Sequence, residues 1–322
     1  MSRTKTALVT GAEGFIGARL ARFLLENGWQ VLAGTLSTDC FPLPPSPRLR
    51  ILRCDLRDGR RVARVLQDWQ PTHVFHLGAE SYPAFSWDDP VRVFQSNVIG
   101  SLHLFEAVRQ LKRPPILVSA CSSAEYGDVP LSHAPVKEEY PLQPLNPYGL
   151  SKFCLDFLSR NYYLRYNIPT VAMRLFNTTG PGKTKDAPSD FVRQLARIRN
   201  GLQPPLLEVG NLKSRRAFLH VDDAVRGFYL AALKGQPGEV YNLCADRLVA
   251  IGSLLNLAIR LSGVKARVQS AQYLLRVSDE RIVFGSSKKF SKATGWKPTI
   301  SLEQTIRSML EFWEREYSLP SR

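Results

Sequence analysis

Tyr148 and Lys152 stand four residues apart in the segment NPYGLSK (146–152). Residues at that spacing share one face of a helix, so a phenol and an ammonium can reach one ligand together. Pro147 suits the first turn of such a helix. Taken alone, the pair reads more simply as surface decoration. What distinguishes the two readings is the set of elements around it.

A second chemical signature opens the chain. VTGAEGFIGARL puts Gly11, Gly14 and Gly17 where an apolar strand passes into a helix. Glycine permits backbone angles closed to other residues. Without side chains, the turn lets a pyrophosphate approach the positive helix N-terminus. The G-x-x-G-x-x-G spacing, in that strand-to-helix context, is a dinucleotide cradle, with Phe15 and Ile16 beside the glycines. An acid at the end of the second strand would bind the ribose hydroxyls and repel a 2′-phosphate. Thr35 lies near that position and no Asp follows until Asp39, which favours NADP(H), with NAD(H) second. Asp55, followed by Leu56 after the third strand, has two even readings: an adenine contact or a helix N-terminal carboxylate.

The elements alternate. Strands are expected at ALVT, QVLAGT, RLRILRCDL, HVFHLGA, PILVSACSS and PTVAMRLF, with helices between them. One long helix is expected over VRVFQSNVIGSLHLFEAVRQL. This rhythm gives an α/β doubly wound parallel sheet. After Phe176 it breaks into the turn-rich segment NTTGPGKTKDAPSD, which reads as a binding loop. The expected organisation is a dinucleotide-binding domain over 1–176, with part of 217–245 returning to it, and a mainly substrate-binding smaller domain over 177–322.

Composition bounds the rest. The 322 residues are 44% hydrophobic and 22% charged, an ordinary globular balance. No uncharged apolar stretch is long enough to span a bilayer, and the N-terminal stretch lacks the pattern of a signal peptide. Five scattered cysteines form no C-x-x-C pair, so neither zinc nor a disulfide framework is expected, and a reducing cytoplasm fits. The net charge of +15 raises nucleic acid as a partner. The basic residues are dispersed, without a tail or a nucleic-acid-binding motif, so a basic surface is the simpler reading and no nucleic-acid or membrane partner is expected.

The segments TGAEGFIG, HLGAESY, NVIGSLHLFEAVR, SSAEYG, PYGLSK, RLFNTTGPG, VGNLKSRRAFLHVDDAV and TGWKPTISLEQTI resemble, in order and over almost the whole chain, the extended short-chain dehydrogenases/reductases of nucleotide sugars. VGNL before the HVDD helix, and LLRVSDERIVFGSSKKF ahead of GWKP, look most like the GDP-mannose 4,6-dehydratases and the GDP-4-keto-6-deoxymannose reductases. The resemblance implies a Rossmann fold, a GDP-linked sugar as substrate and a homodimer pairing helices at 98–112 and 147–166. It implies Tyr148 as general acid/base, Lys152 lowering its pKa and holding the nicotinamide ribose, and Ser122 polarising the reacting oxygen, with Ser123 as runner-up. A free tyrosine titrates near ~10, too high for ready exchange at neutral pH, and an adjacent cation favours the phenolate.

The same resemblance implies that Asn177, Arg216, Arg276 and Asp279 bind the nucleotide sugar. Ala217 and Val277 replace an Asp and a Pro of the relatives. Dehydratases keep a Glu two residues before the tyrosine of the YG pair. Ala124 stands there, and Glu125, one residue later, points to the opposite face if the stretch is extended. This favours NADP-dependent reduction of a nucleotide-linked 4-keto-6-deoxyhexose. The alternative is an NAD-dependent 4-epimerase, with a dehydratase or a non-catalytic dinucleotide or RNA binder behind it. His76 is expected to be structural, Asn97 a brace near Ser122, and Cys121 a buried filler. No metal is implied.

Overall fold

Runs such as ALVT and ILVSACS carry apolar side chains at consecutive positions, which suits strands covered on both faces. In the computed structural model, which describes residues 5–38, 41–274 and 282–318, such runs build one parallel seven-stranded sheet. Its strands are β1 (Thr6–Thr10), β2 (Gln30–Thr35), β3 (Leu49–Arg53), β4 (His73–His76), β5 (Ile116–Ser122), β6 (Thr170–Leu175) and β11 (Val240–Leu243). Their order is β11-β6-β5-β4-β1-β2-β3. The remaining strands are short: β7 (Thr178–Thr179) pairs β10 (Leu219–His220), and β8 (Leu206–Val209) pairs β13 (Arg267–Ser270). Between β12 (Val249–Ala250) and β14 (Ile282–Val283) lies β9 (Arg215–Arg216). All six strands expected in the first half are present, and the seventh is β11.

Helices cover both faces. On one side α1 (Gly17–Glu26) and α7 (Val221–Lys234) bury Leu20, Leu24, Val225 and Phe228 against the sheet. On the other, α2 (Gly59–Trp69), α4 (Gly100–Arg109) and α5 (Pro147–Tyr166) bury Val62, Leu66, Leu104, Phe105 and Leu155. A separate core joins α6 (Ala187–Arg199), α8 (Ile251–Ser262) and α10 (Leu302–Ser318) with β8 through Leu195, Leu207, Leu254 and Met309. The last stretch does not belong wholly to that core. Phe290 of α9 (Lys288–Thr294) and Trp296 pack into the main sheet core instead. Among the described residues, no helix is long and apolar enough to cross a membrane.

One helix departs from expectation. The stretch read as continuous comprises α3 (Pro90–Phe94), a π turn over Gln95–Ile99, and α4. The π turn holds Asn97, which is buried. Its Oδ1 accepts from Glu80 N at 2.7 Å, and its Nδ2 donates to Glu80 O and Ser151 Oγ. Ser151 Oγ in turn donates to Tyr148 O at 2.7 Å. Asn97 thus braces the first turn of α5, and the π turn is the local deformation that accompanies it.

His76, at the end of β4, is structural as expected. Thr10 Oγ1 accepts from Gly78 N at 3.0 Å, so its proton is directed at His76 Nδ1, 2.9 Å away. His76 Nε2 then donates to Ser101 Oγ at 2.8 Å. Burial, assisted by Lys152, pushes its pKa down to about 3; burial and Lys5 push His73 to about 4. The folded state therefore refuses protons that the unfolded chain accepts below its ordinary value of 6.5. Stability from both imidazoles is full above pH 6.5 and is lost as pH falls through about 4 and about 3. Denaturant titration should show a slope of roughly 1.4 kcal/mol per pH unit for each imidazole across that window. In His76→Gln one such slope should vanish; an unchanged profile would exclude the neutral buried imidazole.

Candidate active site

The C-terminal ends of the central strands open onto one cleft of about 1250 Å³. Ligands of parallel α/β sheets sit at this edge. Gly11, Gly14, Phe15, Ile16, Gly17, Asp55, Leu56, Ser122, Ser123, Tyr148, Lys152, Asn177 and Arg216 all line it. Arg276 and Asp279 lie outside the described residues.

The glycine turn is a backbone cradle. Gly11 has φ +64°, and a Cβ there would lie 2.7 Å from Gly78 Cα. A Cβ on Gly17 would meet Gly11 O at 2.1 Å. Neither position tolerates a side chain, and the turn they close presents the N-terminus of α1 to the cleft, which fits a dinucleotide pyrophosphate. Beyond β3, Asp55 bonds Arg57, whose Nη2 is 2.7 Å away, and this contact first of all holds the Asp55 pKa down. Asp58, not Asp55, caps α2, accepting from Arg61 N. The helix-carboxylate reading of Asp55 is thereby removed. Sequence reading missed Glu13. Its carboxylate reaches the end of β2 and accepts from Leu36 N at 2.8 Å. An acid stands beside the buried Thr35 after all, delivered from the glycine turn, where strand-end spacing has no means of locating it.

Tyr148 is the second residue of α5 and Lys152 lies one turn on. Asn146 caps the helix by accepting from Gly149 N at 2.8 Å. Ser122 is the last residue of β5; its hydroxyl accepts from Ala124 N at 3.2 Å and lines the cleft together with Tyr148. Lys152 Nζ donates to Ala120 O at 2.8 Å and lies 6.0 Å from the Tyr148 ring centroid. The expected lowering of the Tyr148 pKa does not arise from the chain's own groups. Burial dominates and pushes it up to about 12, against a smaller downward pull from Ser122. Desolvation also lowers the Lys152 pKa. The phenol is thus held protonated, poised to donate.

The turn after Ser122 is a 3₁₀ helix over Ser123–Glu125, not an extended strand. Ala124 lines the cleft. Glu125 is fully buried and points into the core, so the expected direction holds for a different reason. Its Oε1 accepts from Ser122 N at 2.7 Å, fixing the serine backbone. Its Oε2 lies 3.4 Å from Arg174 Nε and makes no hydrogen bond as a carboxylate. Arg174 Nε is 2.7 Å from Asp156, and its Nη1 donates to Tyr126 OH and Glu138 O, each at 2.8 Å. Burial, then Asp156, raises the Glu125 pKa well above the carboxylate range. Cys121 also sits at this cluster, buried, with its thiol pKa raised by burial.

On the far side, Asn177 lines the cleft, and its Nδ2 is buried without a hydrogen-bond partner among the described residues. Arg216 donates to Arg215 O and lines the cleft beside buried Ala217. Lys183 and Lys185 join them from the segment after β7, which the turn-rich composition marked as a binding loop without singling out either lysine.

A nucleotide-binding sheet with a Ser/Tyr/Lys cleft defines a class of dinucleotide-dependent sugar-modifying folds, and sequence comparison narrows it. The profile of the GDP-mannose 4,6 dehydratase family matches residues 8–309, and the chain belongs to that family. GDP-6-deoxy-D-mannose reductase of Pseudomonas aeruginosa is 30% identical over 314 residues, covering 97% of this chain and 98% of that protein. The structure of RMD from Pseudomonas aeruginosa complexed with NADPH superposes with a TM-score of 0.85 at 29% identity, covering 97% of this chain and all of that one. UDP-glucose 4-epimerase of Thermus thermophilus in complex with NAD gives a TM-score of 0.85 at 28% identity, covering 96% and 98%.

Replacing Tyr148 by Phe keeps the ring and removes only the phenol. Thermal stability should survive, while turnover falls at least ~100-fold. Steady-state rates near those of the unmodified protein would remove Tyr148 from the chemistry.

Proposed function

We propose that the protein reduces a nucleotide-linked 4-keto-6-deoxyhexose, with a GDP-sugar as the favoured substrate. The observation that carries this reading is the turn after β5. It offers Ala124 to the cleft and buries Glu125, so no carboxylate of that turn faces the sugar to take a C5 proton. The reductase among the relatives supports it.

In this reading the nicotinamide supplies the hydride to the sugar C4 carbon when bound. The chain does the rest. Ser122 donates to the C4 oxygen and orients it. As charge develops there, the Tyr148 O–H breaks and its proton passes to that oxygen, giving the alcohol. Lys152 stabilises the phenolate left behind. Asn177 and Arg216 hold the sugar or its diphosphate, with the α6, α8 and α10 portion forming the substrate side. NADP(H) is the favoured cofactor by kinship with an NADPH complex. Glu13 is the specific observation for NAD(H), since a carboxylate at the end of β2 repels a 2′-phosphate. Competition between NADPH and NADH in a fluorescence titration separates the two.

Purified protein with NADPH and GDP-4-keto-6-deoxymannose should consume the reduced cofactor and yield a product two mass units heavier by hydrogen addition. With GDP-mannose and NADP, mass spectrometry should show no loss of water. Efficient water loss would overturn the reading; C4 inversion with tightly retained NAD would favour the epimerase.

We further propose a homodimer through α5. Leu150, Phe157 and Leu164 recur every seventh residue on its exposed face, and exposed Val91 and Ile99 lie on the neighbouring α3 and π turn. Burying such a stripe drives association. Light scattering should give twice the chain mass, and Phe157→Glu should shift it toward one chain. A wild-type monomer at micromolar concentration would end this proposal.

A further inference from the structure

The loop after β7 is fastened directly onto the glycine turn. Arg19, in the first turn of α1, donates to Phe15 O at 2.9 Å and to Pro181 O, and lies 3.9 Å from Asp222. This pins Pro181, and Lys183 follows with its amide bonded to Gly180 O at 3.1 Å. The Phe15 ring is flanked by two cations. Arg19 Cζ is 4.6 Å from its centroid and Lys183 Nζ is 4.9 Å.

The two cations differ. Arg19 spends its donors on carbonyls. Lys183 Nζ lines the cleft, and among the described residues no carbonyl or carboxylate accepts a hydrogen bond from it. Burial lowers its pKa and Asp186 only partly offsets this. Half-buried against a ring face at the wall of the cleft, this ammonium is placed to meet an anion. Gly14, Phe15 and Ile16, beside which it stands, form the backbone cradle of the same cleft.

We propose that Lys183 is a clamp for a diphosphate bound at the glycine turn, closing from the substrate-side loop over the anion that the α1 N-terminus holds from below. This rests on the dinucleotide reading of the cleft. Two diphosphates can enter it, that of the dinucleotide and that of the nucleotide sugar. Contact with Phe15 assigns Lys183 to the first.

The test compares Lys183→Met, which keeps the stem and removes the charge, with Lys183→Arg. NADPH and NADH are titrated by fluorescence and GDP by calorimetry, and melting is followed with and without dinucleotide. Lys183→Met should weaken the better-bound dinucleotide at least tenfold, with smaller salt dependence, and leave GDP affinity unchanged. Lys183→Arg should restore most of the loss. Without ligand, Lys183→Met should melt no lower than the unmodified protein, because the methionine keeps the apolar stem against Phe15 and the lost ammonium makes no hydrogen bond among the described residues. A merely structural lysine would lower that melting temperature instead. Unchanged dinucleotide affinity in Lys183→Met overturns the inference alone, as does a loss confined to GDP. An unmodified protein that binds neither dinucleotide overturns the underlying reading and the clamp with it.

Discussion

A single buried guanidinium ties together the parts that make the site. Arg174, in the middle of the sheet's C-terminal edge, reaches Asp156 of α5, Tyr126 and Glu125 of the turn after β5, and the carbonyl of Glu138. Tyr126 OH passes the network on to Asn242 of β11, whose amide N–H donates to the Glu138 carboxylate. Five segments distant in sequence are thereby fixed relative to each other by hydrogen bonds, most of them charge-assisted, among buried groups. Leaving any one of those charges unpaired is expensive, on the order of 3–5 kcal/mol. The network therefore has one economical arrangement, and the geometry of Ser122 and Tyr148 is inherited from it. The serine amide hangs on Glu125, and the tyrosine sits on the helix that carries Asp156.

The electrostatics around the phenol follow from the same burial. Lys152 is turned to the Ala120 carbonyl, and the desolvation that lowers its own pKa also keeps Tyr148 in its acid form. A tyrosine in that state is a proton source. Direction of chemistry and depth of burial are linked here, since a more open cleft would relax both shifts.

The sheet was legible in the sequence because buried parallel strands are short, mostly apolar runs bounded by polar or turn-forming residues, and ALVT, HVFH and ILVSACS conform. The Tyr148/Lys152 face and the cradle at Gly11, Gly14 and Gly17 were legible for a similar reason: both are local spacings. What escaped depends on contacts between distant segments. Glu13 meets Leu36 across the first βα unit, and Lys183 meets Phe15 across more than half the chain. The π turn at Gln95–Ile99 is set by Asn97 bonding to Glu80 and Ser151, which no helical periodicity encodes. The lowering of the Tyr148 pKa by Lys152 failed because spacing on a helix predicts a shared face and says nothing of which carbonyl the ammonium finds.

The compact turn over Ser123–Glu125 has a consequence for how such enzymes diverge. Glu125 and Tyr126 are adjacent, and both side chains are committed to the interior by Arg174. Register, rather than residue type, decides whether this carboxylate faces substrate or core. One additional residue ahead of Tyr126 would let the tyrosine keep its anchor while the acid rotates toward the sugar. Whether a carboxylate of this turn faces the cleft or the core is thus set by a shift of one position along the chain, with the residue types of the motif otherwise retained.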